Sequence, residues 1–362
     1  MGSTAHDFVQ RVMSGDARGK TASLLRSLLR TAEPAYAGLM RLRNALYARG
    51  IKRVVRLGRP VISVGNITAG GTGKTPVVAW LADRLREAGI VPAVLMRGYK
   101  AAAGQQGDEQ AMLADLLGRP GEAPVVVHAN RNRVAGAAEV LKDHPEVGAF
   151  VLDDGFQHRR AHRDIDLVLI DATRPFGFGH VHPRGLLREP LGGLARADAV
   201  VLTRCDLVAP DALATTEATV RRYNPGVPLF RARHALAGLR TPDGRDLTLA
   251  DLAGLRFFAF AGIANPAPLE RQLHALPGEF VGGSWFADHH AYGADDLAEM
   301  RRIARDRGAN VILVTEKDWA KLRRLPGAAE GDPPLRRLSL RIEFEGDGEQ
   351  RLAELILRGI DR

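Results

Sequence analysis

The sequence predicts an α/β protein built on a mostly parallel sheet with helices on both faces. Three observations support this fold class. Short apolar runs alternate with helical patterns, a glycine-rich turn separates the first run from a helix, and the 362 residues are 45% hydrophobic and 26% charged, as in an ordinary folded chain. Strands buried on both faces of a parallel sheet are almost continuously apolar, which is the pattern seen here.

The predicted strands are short and separated by helical patterns. They are Val61–Val64, Val91–Met96, Val125–Val127, Phe150–Leu152, Leu167–Ile170, Ala199–Leu202, Phe257–Phe260, Val311–Val314 and Leu338–Phe344. The helix after the first strand is predicted from about Pro76 to Ala88, with Gly89 placed to end it.

The length predicts two domains. We expect a boundary near Asn224–Leu236, where Pro225, Gly226 and Pro228 interrupt the pattern. This gives a polar N-terminal extension at 1–20, a catalytic domain at 21–230 that begins with a basic amphipathic helix, and a smaller α/β domain at 231–362 that closes over the site.

The excess positive charge lies in one N-terminal segment. The net charge is +9, but Ala17–Pro60 alone carries eleven Lys and Arg residues and one acid, Glu33. Leucines recur there at helical spacing, at Leu24, Leu25, Leu28 and Leu29. The segment predicts either a helix lying in an anionic membrane interface or a helix docked on its own core with a solvated basic face.

Other global features limit the location of the protein. Cys205 is the one cysteine, which excludes an intrachain disulfide, favours a reducing compartment and is read as a small buried residue at a strand end. No run approaches the roughly 20 apolar residues of a membrane-spanning helix, no signal peptide is evident, and His6 stands where myristoylation requires Ser or Thr.

The strongest motif is a phosphate-binding loop between the first strand and the first helix of the sheet. It reads Thr68, Ala69, Gly70, Gly71, Thr72, Gly73, Lys74, Thr75. Glycines let backbone N–H groups point at phosphate oxygens, Lys74 should reach the β- and γ-phosphates, and Thr75 should ligate Mg²⁺. Thr68 stands where the pattern normally has its first glycine. The motif makes the sheet one of the P-loop NTPase type.

A second motif places two acids at the end of a strand. Val151 and Leu152 are followed by Asp153 and Asp154, which matches the Walker B pattern that holds Mg²⁺. A plain strand-end cap is the alternative, but the nearby phosphate-binding loop favours the metal site.

These motifs extend into a longer series that resembles the tetraacyldisaccharide 4′-kinase family. The series covers most of the chain beyond the first twenty residues. It comprises Ser63–Thr68, Gly70–Pro76, Arg97–Tyr99, Gly107–Glu109, Arg131, Asp153–His158, Arg163–Asp166, Arg174–Gly177, Gly185–Pro190, Gly262–Pro266, Asp288–His290 and Thr315–Asp318. Two positions, Phe178 and Arg184, depart from the family pattern.

The resemblance implies an activity and a location. A member of this family phosphorylates the 4′-hydroxyl of a tetraacyldisaccharide 1-phosphate, a lipid A precursor, with ATP and Mg²⁺. The resemblance further implies a peripheral or monotopic position on the cytoplasmic face of the bacterial inner membrane. The partners expected are the lipid substrate and the phospholipid surface, with no nucleic acid and no obligate protein partner.

The resemblance also implies catalytic roles. Asp108 is expected to act as the base that accepts the proton of the attacking hydroxyl, with His289 from the C-terminal domain paired to it. Read without the family, Asp108 is a helix N-cap or surface acid and His289 a solvated loop residue. Lys74, Asp154 and Arg188 complete the expected catalytic set.

Four further residues are candidates for contacts with the acceptor. They are Tyr99, Arg131, Gln157 and His158, each of which ordinary packing explains equally well.

Three other functions remain open from the sequence. A partitioning-type switch ATPase has a lysine where this loop has Ala69. A GTPase reads guanine with an Asn/Thr-Lys-x-Asp element, which Thr203–Asp206 matches with Arg204 in place of lysine. Nucleic-acid binding through the basic segment is disfavoured because the segment has few aromatic residues and no recognised module.

Overall fold

The computed structural model of the protein describes residues 5–98, 108–118, 125–263, 266–287 and 290–361. Within these ranges, no helix combines the length and the apolar character needed to cross a membrane. In chain order the helices are α1 (Ala5–Ser14), α2 (Lys20–Ala48), α3 (Lys74–Glu87), α4 (Asp108–Leu117), α5 (Arg133–Asp143), α6 (Pro210–Tyr223), α7 (Ala267–His274), α8 (Ala294–Asp306), α9 (Glu316–Leu322) and α10 (Gly348–Ile360).

Each predicted run coincides with a strand, usually one to three residues longer. In chain order the strands are β1 (Val61–Asn66), β2 (Pro92–Met96), β3 (Val126–Ala129), β4 (Ala149–Asp153), β5 (Ile165–Asp171), β6 (Ala199–Thr203), β7 (Leu229–Arg240), β8 (Asp246–Leu247), β9 (Arg256–Gly262), β10 (Glu279–Phe286), β11 (Val311–Thr315) and β12 (Leu335–Phe344). Of these, β7, β8 and β10 were not predicted.

Contacts divide the chain into two compact units. Unit 1 comprises Met1–Arg97, Ala123–Arg233 and Glu343–Arg362, and unit 2 comprises Gly98–Glu122 and His234–Ile342. The sequence-based division at 230/231 differs from these units in two respects, because α4 belongs to unit 2 and α10 returns to unit 1. In unit 1, α10 contacts α3, β1 and β5, and it buries Leu352, Ile356 and Ile360.

The sheet of unit 1 confirms the predicted parallel architecture. Its strands follow the order β7-β6-β5-β1-β4-β2-β3, and the described pairings among them are parallel. Strand β1 lies inside this sheet, and all six of its residues are buried. Two apolar clusters line the sheet, one with Phe150 and Leu152 against α5 and one with Val168 and Ile170 against α6. Burial on both sides explains why these strands are almost purely apolar.

Unit 2 contains a smaller parallel sheet. Its strands follow the order β10-β9-β11-β12, and the described pairings of β9 with β10 and β11, and of β11 with β12, are parallel. Phe258, Phe260, Ile312 and Leu335 form a buried core with residues of α8 and α9. The strands β7 and β12 carry the chain from one unit to the other.

The N-terminal residues form two packed helices in unit 1, and the second, α2, carries most of the basic segment. Helix α2 runs for 29 residues with Pro34 inside it. Helix α1 packs against α2 through Val12, Ala17 and Ala22, and Arg26 donates hydrogen bonds to the carbonyls of Val12 and Ala17. Part of the N-terminal extension at 1–20 is therefore a helix, α1.

Candidate active site

The phosphate-binding loop connects the end of β1 to the start of α3. Gly73 precedes the helix with φ 79° and ψ 34°, and Gly70 has a φ of 121°. Glycine adopts these conformations without the steric cost that other residues meet. Thr68, in place of the usual first glycine, forms an antiparallel bridge with Leu187. The loop thus keeps glycine where its backbone requires it, and Thr68 occupies a paired position.

Neighbouring segments fix the backbone of this loop. The Ala69 N–H donates to the Leu186 carbonyl at 2.7 Å, and the Thr203 hydroxyl donates to the Thr72 carbonyl at 3.0 Å. Among the residues that the structure describes, the buried Thr72 Oγ1 has no hydrogen-bond partner. Buried hydroxyls normally have one, so an oxygen of a bound phosphate would complete this site.

Lys74, Asp154 and Arg188 meet beside the loop. Lys74 Nζ lies 3.3 Å from Asp154 Oδ1 and 3.5 Å from Asn66 Oδ1. Arg188 Nη1 donates to both carboxylate oxygens of Asp154, at 2.8 and 2.7 Å. The side chains of Lys74, Asp154 and Arg188 are 17%, 23% and 26% exposed, so a ligand can reach them.

The charges of this cluster are complementary to a polyphosphate. Burial alone would raise the pKa of Asp154, but the adjacent cations of Lys74 and Arg188 more than offset burial and lower the pKa below its usual value. The carboxylate is therefore ionised at neutral pH. Two cations and one carboxylate leave the cluster with a net positive charge, which suits the γ-phosphate of a nucleotide.

The predicted magnesium ligands lie on α3, which follows the loop, and at the end of β4, the strand beside β1. Thr75 is the second residue of α3, and Asp153 is the last residue of β4, where it pairs in register with Val64 of β1. No group of three or more His, Cys, Asp or Glu residues among those described could hold a metal ion. Thr75, Asp153 and Asp154 offer only oxygen atoms and only two carboxylates, a set that fits Mg²⁺, which keeps several of its waters.

Glu189 is a buried carboxylate within the Gly185–Pro190 motif, and the sequence pattern assigns it no functional role. It is 1% exposed. Its Oε1 accepts hydrogen bonds from Gln157 at 3.1 Å and Arg196 at 3.0 Å, and its Oε2 accepts from Asn44 at 2.7 Å and Arg196 at 3.0 Å. Burial would raise the pKa of Glu189, but the hydrogen bonds and charge of Arg196, with those of Asn44 and Gln157, lower it.

Gln157 connects this buried carboxylate to the phosphate-binding cluster. Its Nε2 also donates to the Asn66 carbonyl at 2.9 Å, and its Oε1 accepts from Arg188 at 3.3 Å. Because Gln157 is held by Glu189 on one side, it fixes the position of the Arg188 guanidinium on the other.

Helix α2 is bonded directly to this region. The Tyr36 hydroxyl donates to the Arg188 carbonyl at 3.0 Å, and Arg43 donates to the Gln157 carbonyl. Glu33, the one acid of the basic segment, accepts from the Val181 N–H at 3.1 Å and from Arg184 at 3.2 Å. Arg184, a departure from the family pattern, therefore anchors the loop after β5 to α2. Sequence patterns carry no signal for such contacts between distant segments.

His158 and Arg131 lie outside the cluster of Lys74 and Asp154. Burial, with the neighbouring cation of Arg133 and those of three further arginines, lowers the pKa of His158 to about 4, so its ring is neutral at pH 7. Among the described residues, His158 Nε2 is buried and has no hydrogen-bond partner. Arg131 is exposed, two residues after β3.

The expected base and its partner stay predictions. Helix α4 begins at Asp108, but the side chain of Asp108 is not described, and Tyr99 and His289 lie outside the described residues. Nearby in unit 2, Asp318 is fully buried and accepts hydrogen bonds from the Gly262 N–H at 3.2 Å and from the Tyr292 hydroxyl at 3.0 Å. The Thr315–Asp318 motif therefore holds Gly262, the last residue of β9, and Tyr292 together.

Comparisons with known proteins agree with the family that the motifs resemble. A family model described as tetraacyldisaccharide-1-P 4′-kinase matches residues 25–360. This chain belongs to that family. It is 39% identical over 333 residues to the tetraacyldisaccharide 4′-kinase of Geobacter sulfurreducens, covering 87% of this chain and 89% of the relative. It is 38% identical over 331 residues to the enzyme of the same name from Anaeromyxobacter dehalogenans, covering 87% and 86%.

A solved structure extends the family match to the fold. The crystal structure of LpxK from Aquifex aeolicus in complex with ATP is 28% identical, with a TM-score of 0.71, and the match covers 93% of this chain and 99% of that chain. The family assignment confirms the resemblance found in the sequence and does not favour the switch ATPase or GTPase alternatives.

Proposed function

We propose that this protein transfers the γ-phosphate of ATP to the 4′-hydroxyl of a tetraacyldisaccharide 1-phosphate, a lipid A precursor in lipopolysaccharide biosynthesis. The observation that carries the proposal is the cluster of Lys74, Asp154 and Arg188 at a phosphate-binding loop, in a chain that the family model matches over residues 25–360. A P-loop alone supports many NTPases, so the family membership supplies the acceptor.

The residues of unit 1 would act on the nucleotide. The loop from Thr68 to Gly73 binds the phosphates through backbone N–H groups, and Lys74 and Arg188 neutralise the charge that develops on the γ-phosphoryl oxygens. Because Lys74 and Arg188 both contact Asp154, a bound nucleotide would compete with this carboxylate for the cations. Thr75, Asp153 and Asp154 would hold Mg²⁺, which adds positive charge at the β- and γ-phosphates.

The acceptor hydroxyl needs a base. The oxygen of the 4′-hydroxyl forms a bond to the γ-phosphorus, the bond from that phosphorus to the β–γ bridging oxygen breaks, and ADP leaves. By the family resemblance Asp108 accepts the hydroxyl proton, and His289 is paired with Asp108. Tyr99 and Arg131 are proposed for contacts with the sugar and its anionic groups. Gln157 and His158 join them, and His158 acts as an uncharged hydrogen-bonding group because its pKa is about 4.

We also propose that the protein lies on the cytoplasmic face of the inner membrane through α2. Leu24, Leu28, Leu39 and Leu42 are 65%, 58%, 58% and 57% exposed. At about 100° per residue these four leucines fall within roughly 60° of one another around the helix. An exposed apolar stripe on a strongly basic segment fits the interface of an anionic bilayer, where the acyl chains of the acceptor are buried.

Phosphate transfer tests the reaction. Detergent-solubilised tetraacyldisaccharide 1-phosphate is incubated with Mg²⁺ and γ-³²P-ATP, and labelling of the lipid is measured. We expect Lys74→Ala and Asp108→Ala to lose most of the activity, by about 10²-fold or more. The matched controls Lys142→Ala and Asp143→Ala change exposed residues at the end of α5 and should retain it. Hydrolysis of ATP without labelled lipid would overturn the acceptor assignment.

Vesicle flotation tests the membrane surface. Leu24→Asp together with Leu28→Asp should release the protein from vesicles that contain anionic phospholipid. The matched control Ala214→Asp together with Ala218→Asp adds the same two charges to exposed positions of α6 and should leave binding unchanged. Equal binding by the aspartate variant and wild type would contradict the proposed role of the stripe.

A further inference from the structure

The segment Thr203–Asp206 directly follows β6 and contacts the phosphate-binding loop. Besides the hydrogen bond from Thr203 to Thr72, Arg204 Nη1 donates to the Gly71 carbonyl at 3.0 Å and pairs with Asp171 at the end of β5. Arg204 holds a left-handed backbone conformation, with φ 58° and ψ 36°. A non-glycine residue in this conformation is uncommon and calls for a structural or functional reason.

The strand order places this segment opposite the acids of β4. In unit 1 the order is β6-β5-β1-β4, so the acids at the end of β4 lie on one side of the phosphate-binding loop and Thr203–Asp206 on the other. The cationic cluster that suits the γ-phosphate contains Asp154 and is on the β4 side. A nucleotide bound outside the carboxyl ends of these strands therefore extends its nucleoside towards β5 and β6.

We propose that Thr203–Asp206 forms the base subsite of the nucleotide pocket, with the Arg204 guanidinium against one face of the purine and the Asp206 carboxylate accepting a hydrogen bond from the amino group of adenine. This subsite deepens the proposed use of ATP and rests on it. It gives a function to the motif that resembles a guanine-reading element without making the protein a GTPase.

The local geometry suits this role. Cys205 is buried and its Sγ lies 3.3 Å from the Leu202 carbonyl, while Asp206 is exposed and the Arg204 side chain is 31% exposed. The buried Cys205 thus anchors the segment and leaves its two charged neighbours accessible. Both hydrogen bonds of Arg204 come from Nη1, and among the described residues its Nε and Nη2 have no partner. A planar guanidinium held at one end provides a flat surface for a purine ring.

Calorimetric titration of the full-length protein tests the subsite without any lipid acceptor, so its outcome is separate from that of the kinase assay. The ligands are the magnesium complexes of ATP, of tripolyphosphate, which has no base, and of purine riboside triphosphate, which lacks the 6-amino group. The variants are Asp206→Asn and Arg204→Lys, which keeps a cation but loses the planar group. Asp211→Asn and Arg221→Lys, exposed residues of α6, are matched controls.

We expect Asp206→Asn to weaken ATP binding about fivefold or more and to leave the affinities for tripolyphosphate and purine riboside triphosphate within about twofold of wild type. Arg204→Lys should weaken both nucleotides and spare tripolyphosphate. Unchanged ATP affinity in both variants would overturn the proposal. Equal losses for ATP and tripolyphosphate would also overturn it, because they would show that the segment only supports the phosphate-binding loop.

Discussion

Removing the charge of Glu189 should destabilise unit 1 strongly. Glu189 is 1% exposed, and each of its two oxygens accepts two hydrogen bonds, in total from Asn44, Gln157 and both terminal nitrogens of Arg196. In Glu189→Gln, an NH₂ group replaces one of these acceptors and faces donors, whichever way the amide is turned. The partly buried guanidinium of Arg196 also loses its counter-charge.

The structure sets the size of this effect. Leaving a buried donor unsatisfied costs about 1–3 kcal/mol, and breaking a buried ion pair costs about 3–5 kcal/mol. Because Gln keeps half of the acceptors and the Arg196 side chain is 19% exposed, we expect a loss of about 2–4 kcal/mol. For a unit of this size, at about 2–4 °C per kcal/mol, that lowers the midpoint of thermal unfolding by about 4–16 °C.

Thermal unfolding monitored by circular dichroism measures this change. The matched control is Glu87→Gln, which removes a carboxylate that pairs with Arg84 at 2.6 Å but is 57% exposed. An exposed ion pair between residues three apart on a helix contributes about 0.2–0.5 kcal/mol, so the control midpoint should move by less than about 2 °C. Equal small shifts in both variants would refute the argument that Glu189 is the centre of a buried network.

The difference in unfolding midpoint between wild type and Glu189→Gln should depend on pH, because folding shifts the pKa of Glu189. The pKa of Glu189 is lowered in the folded state from its ordinary value of 4.5. Its stabilising contribution is therefore fully present above that value and disappears as the pH falls through the lowered folded pKa. Unfolding midpoints of wild type and Glu189→Gln should converge only in this acidic range, and convergence near neutral pH would contradict the assignment.

Three further predictions concern other groups. Arg188→Ala removes one of the two cations beside Asp154, so the pKa of Asp154 should rise, which the pH profile of the reaction measures. The rate of phosphate transfer, measured as kcat, should fall about 10²-fold. His158→Gln should leave the pH–rate profile unchanged between pH 6 and 8, because the pKa of His158 is about 4, and a lost inflection in that range would contradict this. Tyr292→Phe removes a hydrogen bond to the buried Asp318 and should destabilise unit 2 by about 1–2 kcal/mol. Urea unfolding followed by hydrogen exchange measures this loss, and equal exchange protection in variant and wild type would refute it.

The sequence predicted the part of the site that depends on local spacing. The strand β1, the loop from Thr68 to Gly73 and the acids Asp153 and Asp154 are contiguous motifs, and their identity reflects backbone geometry that only certain residues allow. Gly89, with φ 75°, follows the end of α3 as predicted, although that helix begins at Lys74 rather than Pro76. The difference arises because the loop leads directly into the first helical turn.

The contacts that position these motifs were not predictable in the same way. Tyr36 and Asn44 reach residues about 150 positions away in the chain, and no local pattern reports such a pairing. Helix α2 continues through Pro34, although a proline inside a helix removes a backbone hydrogen bond. The return of α10 to unit 1 includes a hydrogen bond from Trp80 to Glu349 at 2.9 Å, a contact between segments far apart in the chain.

The position of the transferred phosphate is the most direct test of the central claim. Lipid product made with γ-³²P-ATP is treated with mild acid, which cleaves the anomeric 1-phosphate and spares an ordinary phosphate ester at the 4′ position. The proposed reaction predicts that the ³²P label stays with the lipid after this treatment. Release of the label as inorganic phosphate, or absence of label from the lipid before treatment, would contradict a 4′-kinase.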